Sequence, residues 1–133
     1  MKKALLKQVG LWMLAMVMLF AFAATAFAAS ETESNNTLAT ANAYNYGEGA
    51  GGFVNDSDTV DYWKINNVPM GSHMLNGYSA MSMSVLSSGG SVIATKPVGV
   101  SSISFSTGST GPIYVVVNYN PGSGIYYYGY SVN

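Results

Sequence analysis

The sequence predicts an all-β protein, an antiparallel β-sandwich, on three observations. Several short runs alternate apolar and polar residues at period two. Clusters of Gly, Ser, Asn and Pro separate those runs. Beyond residue 29, no stretch carries a helical apolar period long enough for a stable helix.

The first 28 residues stand apart from that pattern. Lys2, Lys3 and Lys7 form a basic start, and an uncharged apolar run from Val9 leads to Ala26-Phe27-Ala28 before Ala29-Ser30-Glu31. This is the layout of a signal peptide cleaved after Ala28, so residues 1–28 read as a leader and 29–133 as one secreted domain with no membrane span after cleavage. The run is also long enough to span a bilayer as an uncleaved anchor, but the small-residue cleavage motif favours removal. Once the leader is gone, Lys64 and Lys96 face six acids.

Composition removes several function classes. The chain has no Cys, which excludes disulfide scaffolds and thiol nucleophiles, and a single His gives zinc little support. It has no Arg, so a broad basic surface for nucleic acid is absent. Its hydrophobic share of 49% is enough to build a core, which excludes charge-driven disorder.

All six acids lie between Glu31 and Asp61. In this opening, Thr37 to Ala43 forms at most one turn of helix. Gly51-Gly52-Phe53-Val54 follows as a glycine-rich strand, and Asp56-Ser57-Asp58 is a turn. Thr59 to Ile65 then sets Val60, Tyr62 and Lys64 on one face and Asp61, Trp63 and Ile65 on the other. After Pro69, His73 falls on a strand edge, where a lone His is a surface or packed residue rather than a general base.

Met81 to Leu86 alternates again, and Ser88-Gly89-Gly90-Ser91 turns it into Val92-Ile93-Ala94-Thr95 as a hairpin. Ser101 to Thr107 places Ile103 and Phe105 together. Ile113 to Tyr119 loses its alternation in the middle, as a strand covered on both faces does. A turn at 120–124 leads into a final strand from Ile125 to Val132, with Tyr126, Tyr128, Tyr130 and Val132 on one face.

The order of these features resembles the bacterial pre-peptidase C-terminal domain. Glu33-Ser34-Asn35-Asn36-Thr37 resembles its E-x-N-D-T opening, with Asn36 where the family has Asp. Asp58-Thr59-Val60-Asp61-Tyr62-Trp63-Lys64 resembles its Asp turn running into a strand. Gly111 to Val117 and Tyr128-Gly129-Tyr130-Ser131-Val132 stand where the family has its closing strands. Relatives include the collagen-binding domains of clostridial collagenases. The resemblance implies a jelly-roll-like sandwich of about eight short strands, secreted and often calcium-bound near its N-terminus.

Carried over residue by residue, the implied calcium (Ca2+) ligands are Glu31, Glu33, Asn35, Asn36, Asp58 and Asp61, with Asp56 a substitute. Calcium takes six to eight oxygen ligands, which such a set can offer. Read without the resemblance, the same residues are a polar leader and a solvated turn. The collagen-binding relatives also use surface tyrosines, which makes Tyr119 and Tyr127 the candidate ligand contacts, although most tyrosines here read as core.

No catalytic motif appears. Gly77-Tyr78-Ser79-Ala80-Met81 lacks the second Gly of a nucleophile elbow, and neither a phosphate-binding loop nor H-E-x-x-H is present. The sequence therefore favours a non-catalytic secreted module. It would bind an extracellular protein or polysaccharide, collagen-like or cell-wall material, or a secreted peptidase. The alternative is a structural subunit that self-associates through edge strands into a fibre or matrix.

Overall fold

The computed structural model describes residues 28–121 and 126–133. The predicted leader, apart from Ala28, and most of the turn predicted at 120–124 lie outside the described residues.

Ten strands form two five-stranded sheets. They are β1 (Ala28–Ser30), β2 (Asn42–Asn45), β3 (Gly49–Val54), β4 (Val60–Val68), β5 (Gly71–Gly77), β6 (Ser82–Leu86), β7 (Val92–Lys96), β8 (Ser102–Thr107), β9 (Gly111–Asn118) and β10 (Tyr126–Val132). One sheet has the order β1-β3-β10-β5-β8 and the other β2-β4-β9-β6-β7. Without β1 and β2, the remaining eight strands follow the double Greek-key order of a jelly roll.

The two added strands correct the sequence expectation. Each is short, lies at a sheet edge and pairs in parallel, β1 with β3 and β2 with β4. The sandwich is thus antiparallel in its interior and parallel at one edge of each sheet. The helical turn considered for Thr37 to Ala43 is instead a hydrogen-bonded turn, in which the Thr40 N–H donates to the Thr37 carbonyl (3.1 Å). The chain is already extended by Asn42.

Alternation decides the faces. In β4, Asp61, Trp63 and Ile65 point inward and are fully buried. Beyond Ile65 a register shift accommodates Asn67 in the left-handed region (φ 59°), a conformation Asn tolerates, and Val68 returns to the core. β9 is the middle strand of its sheet, with Val115 and Val117 fully buried inside and Val116 only 6% exposed on the other face. In β10, Tyr128, Tyr130 and Val132 face inward. Tyr44, Trp63 and Tyr130 meet edge to face, with ring centroids 5.9–6.3 Å apart.

His73 is packed, as a lone His on a strand most often is. Its Nε2–H donates to the Pro69 carbonyl (2.9 Å), which leaves Nδ1 to accept from the Tyr46 hydroxyl (3.1 Å). With both nitrogens occupied it holds the corner between β4 and β5.

The strand directions gather the β3–β4, β5–β6, β7–β8 and β9–β10 connections at one end of the sandwich. β1 runs parallel to β3 and delivers Glu31 to that same end.

Candidate metal centre

Four carboxylates meet there. Glu31 and Glu33 follow β1, Asp58 closes the turn before β4, and Asp61 is the second residue of β4. One oxygen from each lies within 4.8 Å of all the others. Local chemistry sets the turn: Asn55 Oδ1 accepts from the Ser57 N–H (2.7 Å) and the Asp58 N–H (3.1 Å), which turns Asp58 back toward the cluster.

Three of the four acids have an oxygen that no donor meets. Glu31 Oε2 accepts from the Phe53 N–H (2.6 Å), and Asp61 Oδ2 accepts from the Tyr128 hydroxyl (2.6 Å). Glu31 Oε1, Asp58 Oδ2 and Asp61 Oδ1 are buried with no hydrogen-bond donor. Buried carboxylate oxygens without partners are costly, and either protonation or a bound cation relieves that cost.

The protonation equilibria say the same. Burial pushes Asp61 up to about 7, with the Asp58 and Glu33 charges adding to it. Asp58 rises to about 6, through burial first and Glu33 second. Burial also raises Glu31, and sharing a proton with Glu31 raises Glu33. The charges acting on these carboxyls are mostly one another's, so they crowd together without a counter-charge.

The six residues expected as ligands divide. Glu31, Glu33, Asp58 and Asp61 converge. Asn36, with its amide oriented to satisfy its hydrogen bonds, donates to Asp58 Oδ1 (3.1 Å) and the Val60 carbonyl (2.7 Å), which makes it a support for Asp58. Asn35 is fully buried, and its carbonyl accepts from the Tyr62 N–H (2.9 Å). Asp56 stays exposed at the turn tip.

Of the two tyrosines expected as surface contacts, Tyr127 is 78% exposed and Tyr119 is 8% exposed within the core cluster. Tyr119 shares the parity of Ile113, Val115 and Val117, so period two sends it inward and it is no surface contact. Tyr127 pairs instead with the exposed Phe53, ring centroids 6.1 Å apart. The two line a cleft of about 410 Å³ with Ser30, Glu31, Gly51, Gly52 and Tyr128.

Two contributors were not foreseen. A Cβ at Gly52 would collide with the Glu31 carboxylate and come within 2.8 Å of the Tyr128 hydroxyl, so only glycine lets Glu31 lie across β3. A glycine pair inside a strand is a readable mark of such close approach. Tyr128, which holds Asp61, gave no signal separable from core filling.

The described residues also contain an oxygen-lined site of another kind. Lys96 is fully buried, and its Nζ donates to the carbonyls of Tyr78 (3.0 Å), Met81 (2.6 Å) and Val100 (2.8 Å). It ties the β5–β6 and β7–β8 connections together.

No protein-family model matches the chain, and no curated protein matches it in sequence. Among solved structures, the pre-peptidase C-terminal domain of collagenase from Bacillus anthracis matches with a TM-score of 0.58 at 16% identity. It covers 77% of this chain and 100% of that one. PliG of Aeromonas hydrophila, a periplasmic inhibitor of g-type lysozyme, matches with a TM-score of 0.46 at 11% identity, covering 69% of this chain and 98% of its own. The chain has the fold of a pre-peptidase C-terminal domain, a small all-β sandwich. Among the described residues, no helix is long and apolar enough to cross a membrane.

Proposed function

We propose that the protein is a secreted, non-catalytic binding module, stabilised by calcium in the carboxylate cluster and making contact through Tyr127 and Phe53. The observation that carries this reading is the convergence of four carboxylates within 4.8 Å, three of them with a buried oxygen that no donor meets. The donor set is all oxygen, with no thiolate or imidazole beside it. That favours a hard cation, and a flexible shell rich in carboxylates suits calcium better than magnesium. Glu31, Glu33, Asp58 and Asp61 would hold the ion, which supplies positive charge and cross-links β1 to the start of β4.

The contact face follows from exposure. Tyr127 presents a large, rigid ring with a polar tip beside Phe53, which suits a protein or polysaccharide surface. The ligand class is an extracellular polymer or protein, with collagen-like or cell-wall material the first to try and a secreted peptidase the next. The fold likeness to a collagenase domain supports that order of trial.

The test is calorimetric titration of the protein with calcium after chelation, with melting curves alongside. Micromolar-range binding lost in Asp58→Ala and Glu33→Ala supports the site; no heat and no melting shift refutes it. Pull-down with collagen and with cell-wall polymer, repeated with Tyr127→Ala, then tests the face.

One observation favours the second reading, self-assembly. β7 ends its sheet and exposes Val92 (65%) and Ile93 (36%), apolar residues on an open edge. A sedimentation size that rises with concentration, and is lost in Val92→Lys, would favour it.

A further inference from the structure

Asp61 is the one cluster member buried completely, and its geometry is set from the opposite sheet. Trp63 Nε1 lies 2.8 Å from the Tyr128 hydroxyl oxygen, which in turn lies 2.6 Å from Asp61 Oδ2. An indole N–H can only donate, so the Tyr128 oxygen accepts from it. The single hydroxyl proton is then left for Asp61. With Asp61 ionised, as a metal ligand must be, the direction of the chain, Trp63 to Tyr128 to Asp61, follows from the donor inventory.

Asp61 and Trp63 sit two apart on the inner face of β4, while Tyr128 reaches them from β10 in the other sheet. Pinning Oδ2 leaves Oδ1, which has no donor of its own, as the oxygen free to serve the cluster. Gly52 keeps room for this arrangement, since a Cβ there would crowd the same hydroxyl.

We propose that Tyr128 is a positioning residue of the metal centre, aimed by Trp63, so that the state of the ion is read directly by the tryptophan in the core. This inference rests on the cluster being a metal site. It adds that the site's affinity is set by a hydrogen bond crossing the sandwich, and that metal binding has an optical signal built into the fold. The sequence contains one other tryptophan, Trp12, which belongs to the predicted leader.

The experiment compares calcium titrations of wild type, Tyr128→Phe and Trp63→Phe by calorimetry. Trp63 emission and terbium luminescence excited through the indole are recorded in parallel on wild type. Removing an outer partner of a ligand typically lowers metal affinity 10- to 100-fold, and that loss is expected for Tyr128→Phe. Trp63→Phe keeps the hydroxyl but frees its rotation, and should lose about threefold or more, less than removal of the hydroxyl itself. A purely structural role would lower the melting temperature by the same amount with chelator and with calcium. The positioning role shrinks the calcium-dependent increment.

Wild type that binds calcium while Tyr128→Phe binds within twofold of it overturns the inference and leaves the metal site standing. Wild type that binds neither calcium nor terbium refutes the metal reading, and this inference with it. Should Tyr128→Phe fail to fold, Trp63→Phe decides. A loss of affinity supports the relay; unchanged affinity, with Trp63 emission in wild type indifferent to calcium, overturns it.

Discussion

Two oxygen-lined sites share one end of the sandwich, and they solve opposite problems. Around Lys96, three neutral carbonyls receive three ammonium N–H donors, so the chain carries its own cation and every group is matched. Around Asp61, four acids converge, and the donors near them, the Phe53 N–H, the Asn35 and Asn36 amides and the Tyr128 hydroxyl, are all neutral. The first site is complete when the chain folds. The second crowds negative charge without an internal cation, so protons or, on the proposed reading, a cation must offset it. In a protein without cysteine, the two represent two ways of tying loops, one internal and one conditional.

Removing Lys96 should break this contrast most severely. Lys96→Met takes the ammonium donor from the buried Met81 carbonyl and the part-buried Val100 carbonyl, while the Tyr78 carbonyl keeps the Met81 N–H, and each uncompensated buried group costs about 1–3 kcal/mol. We expect a loss of about 3 kcal/mol or more in chemical denaturation, the same with chelator as with calcium. A loss that calcium repairs would mean that the two sites are not independent.

Asp61→Asn should act with a sign that depends on the metal. In chelator it removes a buried charge from a repelling group, and the protein should gain about 1 kcal/mol. In calcium it removes a ligand, and the metal-dependent rise in melting temperature should disappear. Equal destabilisation under both conditions would contradict the account of crowded charge.

The pH dependence sharpens the same point. Asp58 and Asp61 titrate near 6 and 7 when folded, against about 4 for an unfolded carboxyl. Between about pH 4 and 7 the folded chain therefore binds more protons than the unfolded one, so metal-free stability falls as pH rises through that window. It is fullest below about pH 4 as far as these groups are concerned. Calcium competes with those protons, so its stabilising increment should grow from pH 5 to pH 8. Melts at both values, with chelator and with calcium, check both halves. The smallest effect on the fold belongs to Tyr127→Ala, whose stability should stay within about 0.5 kcal/mol while polymer capture drops.

Much of this was legible in the sequence because period two is a strong signal on a half-buried sheet. The alternation from Val60 to Ile65 gave the inward set, the Gly89-Gly90 turn gave the hairpin of β6 and β7, and the unbroken Val115-Val116-Val117 gave a middle strand. β1 and β2 were not legible, because a short edge strand is defined by its partner: Ala28–Ser30 reads as the cleavage junction, and Asn42-Ala43 as the end of a helical turn, until β3 and β4 are beside them. For the site, the resemblance of Glu33 to Thr37 and of Asp58 to Lys64 to the family's motifs pointed to the carboxylates, since the confinement of all six acids to residues 31–61 does not separate Glu48 and Asp56 from the four that converge. The roles of Asn36 and Tyr128 depend on which atom points where, and spacing does not carry that. Tyr119 shares the parity of Val115 and Val117, so period two alone places it inward, against its expected role as a surface contact.

The strand order has a kinetic consequence. β10, the last of the described strands, is the middle of its sheet, lying between β3 and β5. Until residues 126–132 are available, that sheet exists only as two separate pieces, and the pairings that join them close loops of more than fifty residues. Contacts so distant in sequence make folding slow, with apolar strand faces open to mispairing in the meantime. The same strand brings Tyr128 to Asp61, so the carboxylate cluster is also completed only when β10 docks. Whatever withholds residues 126–132 would thereby withhold the joining of that sheet, and deletion of β10 should yield an aggregating chain rather than a weakened domain.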